Sequence, residues 1–194
     1  MNKGRLEAFS DGVLAIVITI MVLELKIPHS ADWPALRAII PTFLSYLLSF
    51  VFVGLYWNNH HHMLHNAERV SGAIMWANLH LLFWLSLVPF TTGYMGENHF
   101  AKLPVGVYGG VLFMAGFAYY LLARMLAWHH GPQSRLAVVL KEDRKGKLSL
   151  LIYAVAIGMC FVSARVALGL YTLVAVMWFV PDRRMEPRIP SRTP

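Results

Sequence analysis

The sequence predicts an all-α membrane protein with six transmembrane helices and both termini in the cytoplasm. Composition is the first reason. Of 194 residues, 57% are apolar and 14% are charged, where soluble domains have about 45–50% and about 25%. A water-soluble enzyme of this size has too little interior for so much apolar surface, and disorder requires the opposite balance. The second reason is the spacing of charge. Uncharged runs of 12, 30, 27, 21, 17 and 16 residues lie between charged positions, and about 20 mostly apolar residues cross a bilayer core. The third is the side on which the basic residues fall. With six spans, thirteen Lys and Arg lie on the inner side and four (Lys26, Arg37, Lys102, Arg165) on the outer, which is the positive-inside pattern.

The spans are expected near 5–26, 35–62, 70–96, 103–127, 147–163 and 166–181, forming one unit over 1–181. The first must begin near Arg5, because Gly12 to Leu23 alone would cover only about 18 Å. The second, third and fourth are long enough without argument. The last two are short, and a single tilted helix across Arg165 is the alternative. A five-span chain would put the four C-terminal arginines outside, so the hairpin is preferred, with Arg165 snorkelling at its tip. Pro41 and Pro89 are expected to end or kink helices. Lys3 and Arg5 before an apolar run resemble a signal peptide. Glu24-Leu25-Lys26-Ile27-Pro28 follows instead of a small-residue cleavage site, so a retained span is expected. The tail at 182–194, basic and rich in Pro and Arg, is expected to be loose. Cys160 is the one cysteine, which excludes a disulfide framework and multi-cysteine metal clusters.

The first span is unusual because it carries Arg5, Glu7, Ser10 and Asp11 in its opening turns. A carboxylate within a bilayer costs about 2.5–3.5 kcal/mol on insertion scales and normally faces other helices or water. At 100° per residue, Gly12, Ile16, Thr19 and Leu23 share one narrow arc, with Arg5 on the same line and Asp11 pointing elsewhere. Periodicity leaves two readings of that stripe. It is a packing surface, or it is a pore wall in which aliphatic rings dewet and a hydroxyl ring replaces hydration water.

Arg5-x-x-x-Phe9-Ser10-Asp11-Gly12 at the head of the first span resembles the signature of the transmembrane protein 175 family of potassium channels. Val13 to Ile20, Tyr56-Trp57-x-x-His60, Asn78 and Leu87-Val88-Pro89-Phe90-Thr91-Thr92-Gly93 fit the same family. The resemblance is close over the first half and looser in the last three spans. It implies a six-helix subunit that assembles as a homotetramer, with the first helix lining a central pore. It also implies that Ile16 forms the hydrophobic constriction and Thr19 the layer tied to potassium preference, with Leu23 and Gly12 on the same wall. A TVGYG-type carbonyl filter is absent from the sequence. A single hydroxyl layer supplies few oxygens, so weak selectivity for potassium over sodium is expected, with other alkali cations also passing.

Asp11 should lie at the depth of Trp57 and His60, where the third span brings Trp76, Asn78 and His80. Together with Arg5, these are the expected members of a network that fixes the rotation of the first helix. His61 and His65 share a helix face, yet no ligand set completes around them, so no metal is expected. The reading needs no cofactor beyond the permeant ion. Its partners are further copies of the chain, membrane lipid and alkali cations, with no nucleic acid. A prokaryotic inner membrane is the expected location. An enzyme is not expected, because only Asp11 and Glu68 could join the histidines. A small secondary transporter coupling cation or proton movement is the alternative, separable by the absence of titratable mid-membrane groups and of inverted repeats.

Overall fold

The computed structural model describes residues 3–67, 69–131, 133–134, 137 and 143–179. Within them the chain is all-helical. The elements are α1 (Lys3–Met21), α2 (Trp33–Ala38), α3 (Ile40–His65), α4 (Gly72–Ser86), α5 (Val88–Glu97), α6 (Lys102–His130), α7 (Arg144–Cys160) and α8 (Ala164–Phe179). A 3-10 turn at Val22–Glu24 extends α1.

Four stretches are long and apolar enough to cross a membrane: Lys3–Glu24, Ile40–His65, Gly72–Glu97 and Lys102–His130. The protein is therefore an integral membrane protein. With 17 and 16 residues, α7 and α8 reach about 24–26 Å at 1.5 Å per residue, slightly less than a hydrocarbon core of about 30 Å.

The helix limits differ from the sequence expectations in a systematic way. The span expected at 35–62 is two helices, broken at Ile39, because Pro41 has no N–H to continue the ladder and caps the start of α3 instead. Likewise 70–96 is broken at Leu87, with Pro89 in the first turn of α5. The first span stops at Glu24 rather than 26, ahead of extended backbone at Leu25. In the last hairpin the turn falls at residues 161–163, with Arg165 in the first turn of α8 beside it. The tail at 182–194 lies outside the described residues.

Local chemistry explains the starts. Asp32 accepts from the Ala35 amide at the head of α2, Ser71 from Ile74 at the head of α4, and Asp143 from Gly146 at the head of α7. Such caps satisfy amides the helix itself cannot. The longest helix, α6, ties two packing groups together. One side joins α1, α3 and α4 through Leu14, Val17, Met21, Val53, Leu81, Leu85, Ala115 and Leu122. The other joins α7 and α8 through Tyr108, Leu112, Tyr153, Ala156, Tyr171 and Val174.

Small residues set the closest approaches. A Cβ at Gly96 would meet the Thr42 Cα at 2.7 Å, and one at Gly109 would overlap the Tyr171 hydroxyl, so α5 seats on α3, and α6 on α8, at glycine contacts. Outward, Phe43, Leu44, Leu47 and Phe50 on α3 and Leu148, Leu151 and Val155 on α7 remain exposed. Apolar stripes at helical spacing would be a liability in water and are the expected surface toward lipid.

Candidate functional site

Helix α1 packs against α3, α4 and α5, and its two faces are chemically distinct. Leu6, Ser10, Leu14, Val17 and Met21 are buried, a 4-4-3-4 spacing that keeps one face on the bundle. The other face carries Gly12, Ile16, Thr19 and Leu23. All four are exposed, Ile16 by 58% and Leu23 by 76% of their surface. Phe9, 53% exposed, borders the same face. Arg5 is exposed at its N-terminal end and makes no ion pair among the described residues. Among the described residues no other helix covers this stripe, and a Cβ at Gly12 would touch nothing within 4 Å.

Thr19 has a defined orientation. Its Oγ1 donates to the Ile16 carbonyl at 2.9 Å. A hydroxyl has one donor and two acceptor lone pairs, so spending the donor on the backbone leaves the oxygen as an acceptor on the exposed face. That is the polarity a cation requires.

Behind the stripe lies a directional hydrogen-bond chain. Ser10 Oγ donates to the Leu6 carbonyl at 2.9 Å. Its oxygen then accepts from Asn78 Nδ2 at 2.9 Å. With its amide nitrogen committed, Asn78 presents Oδ1 to His60 Nε2 at 2.7 Å. The His60 Nε2 must therefore carry the proton, because the acceptor is a carbonyl oxygen. Ser10 and Asn78 are 0% exposed and His60 is 2%. The chain joins α1, α4 and α3 and satisfies every member it buries. Each such bond stabilises by about 1 kcal/mol net, and losing one partner costs more than that.

Asp11 takes a separate partner. Trp57 Nε1 donates to its Oδ1 at 3.0 Å in a partly open setting. The Trp57 ring stacks on His61 (6.2 Å between centroids), and His61 stacks on His65 (6.0 Å). At the end of the ladder, Lys3 Nζ donates to the His65 carbonyl at 2.8 Å, so the first turn of α1 is tied to the last turn of α3.

Two expected network members lie elsewhere. Trp76 is 75% exposed. His80 accepts from Trp84 Nε1 at 2.9 Å within α4. Of the candidate set the structure brings Ser10, Asn78 and His60 together, and Asp11 with Trp57. Sequence reasoning missed Lys3, whose partner is a backbone carbonyl and leaves no pattern. It also missed Gly93, whose bare Cα lies under the Glu24 carboxylate. Its signal was a lone glycine in the Thr91-Thr92-Gly93 run, but periodicity does not say which side chain would use the space.

Comparison with known proteins gives a consistent result. The family model described as endosomal/lysosomal potassium channel TMEM175 matches residues 5–89. A potassium channel of Chryseobacterium sp. (strain P1-3) is 50% identical over 186 residues, covering 96% of this chain and 97% of its own. The human endosomal/lysosomal proton channel TMEM175 is 34% identical over 54% of this chain, which corresponds to 23% of that longer protein. The crystal structure of a lysosomal potassium-selective channel TMEM175 homolog from Chamaesiphon minutus superposes with a TM-score of 0.82 at 27% identity, over 95% and 98% of the two chains.

Proposed function

The chain belongs to the endosomal/lysosomal potassium channel TMEM175 family, a family of ion channels and not of enzymes, and we propose that it conducts potassium ions through a pore lined by α1. Four copies assemble around a central axis, each with six crossings and both termini in the cytoplasm of a prokaryotic inner membrane. The observation that carries this reading is the uncovered stripe of Gly12, Ile16, Thr19 and Leu23 on the face of α1 opposite the buried Leu6, Ser10, Leu14, Val17 and Met21.

The mechanism follows from side-chain chemistry. A ring of Ile16 side chains excludes water when narrow, so a small splay or rotation of α1 gates conduction. At Thr19, outward-facing hydroxyl oxygens replace part of the hydration shell. Potassium holds that shell less tightly than sodium, so it passes more readily, and a single layer discriminates weakly. The Ser10–Asn78–His60 chain and the Asp11–Trp57 bond act behind the wall, holding the rotation that aims Ile16 and Thr19.

Proteoliposomes carrying a potassium gradient test the proposal. Flux should rise linearly with driving force and need no counter-substrate, whereas a secondary transporter saturates and couples. Ile16→Asn should raise flux, by about tenfold if about 1.4 kcal/mol of dewetting barrier is removed. Saturating, coupled flux that is indifferent to Ile16 would replace the channel with the transporter. An internal pH dye in the same vesicles reads proton movement, the activity in the human relative's name.

A further inference from the structure

At the end of α1 remote from the N-terminus, Glu24, Lys26, Glu97 and His99 line one open cavity of roughly 370 Å³, together with Thr42 and Gly96. By sequence, Lys26 stands two positions from Glu24 and should cancel it. The structure pairs Lys26 with Glu97 of α5 instead, Nζ to Oε1. That hydrogen-bonded pairing with Glu97, with a smaller contribution from Glu24, holds the ammonium above its ordinary 10.5. Lys26 is thus a full positive charge at any physiological pH, and it needs a full negative partner.

The pair is solvent-exposed, so it contributes little to stability. Its electrostatic effect is different. Two opposite charges in contact have a dipole field that falls off faster than that of one charge, so the pair is nearly silent at a distance. Glu24 is left over. Its carboxylate lies against α5 at Gly93, where an added Cβ would be 2.5 Å from Oε2. It makes no hydrogen bond or ion pair among the described residues. Leu23, the outermost member of the bare stripe, is its immediate neighbour.

We infer that Glu97, by neutralising Lys26, leaves Glu24 as the net charge at the outer end of α1, where it concentrates cations ahead of the pore. Glu24, Lys26 and Glu97 are then determinants of conduction rate that never touch the constriction. Four copies would give a ring of four Glu24 carboxylates, a local field that raises cation concentration beside it. The inference rests on the reading of α1 as the pore wall.

The test is potassium current entering from the Glu24 side of the reconstituted channel at pH 8, which keeps histidine uncharged. Salt is set at about 10 mM and at about 1 M, with Debye lengths of about 30 Å and about 3 Å. Glu24→Gln should lower the low-salt current about two- to threefold through loss of the attracting field, and should match wild type at high salt. Glu97→Gln should do the same, because it releases Lys26. The double variant Lys26→Gln/Glu97→Gln should return to the wild-type current, which also shows that the substituted channel folds. A Glu97→Gln current equal to wild type at low salt would overturn the inference, as would a Glu24→Gln deficit that persists at high salt. Ile16→Asn measured in parallel separates the two levels. Current indifferent to Ile16 removes the pore assignment, while current responsive to Ile16 and deaf to Glu97 removes only the charge set.

Discussion

Thr19 shows how much one side chain can specify. Its position on the bare stripe follows from helical periodicity, but the direction of its lone pairs follows from the bond to the Ile16 carbonyl. Valine has the same shape and no oxygen. A neutral polar contact is worth about 0.5–1.5 kcal/mol, so Thr19→Val should lower the potassium-to-sodium permeability ratio about two- to tenfold, read from bi-ionic reversal potentials. Thr19→Ser should retain most of it. A ratio unchanged by valine would remove the hydroxyl layer from the mechanism. The bare arc was legible at this scale because it needs only a rotation of 100° per residue. The meeting of Ser10 with Asn78 and His60 was not, because it depends on how α4 and α3 are turned against α1, and a single sequence does not encode those angles locally.

Among elements, the junction of α1, α3 and α4 concentrates the polar cost of the fold. Truncating Asn78 to Ala would orphan the His60 Nε2–H and one bond of Ser10 at buried positions. Each unsatisfied buried group costs about 1–3 kcal/mol, so a clear loss of thermal stability in detergent is expected. Trp57→Phe breaks only the open bond to Asp11 and should cost about 1 kcal/mol or less. A larger loss for Trp57→Phe than for Asn78→Ala would invert the ranking and move the anchor to Asp11. Helix ends followed the same division between local and non-local causes. The breaks at Ile39 and Leu87 come from Pro41 and Pro89, visible in the chain. The seating of α6 on α8 at Gly109 depends on Tyr171, 62 positions away, and no local pattern announces it.

At the scale of the molecule, the bare stripe on α1 is the feature the fold leaves unfinished. Its members stand opposite the buried face of α1, so further copies of the chain are its natural cover. Light scattering with the detergent contribution subtracted should give four times the 21.9 kDa chain mass. A monomer in mild detergent and in lipid nanodiscs would leave the axis without walls.

By itself the sequence determined the membrane class, the approximate place of the four long apolar spans and the arc that Gly12, Ile16, Thr19 and Leu23 share on α1. All three are one-dimensional properties: apolar run length, charge spacing and a fixed rotation per residue. Tertiary structure alone decided that Ser10 meets Asn78 and His60, that Asp11 meets Trp57, and that Lys26 reaches Glu97. Those outcomes depend on the relative rotation of packed helices, where a turn of one residue exchanges every neighbour, and only the assembled bundle fixes that rotation.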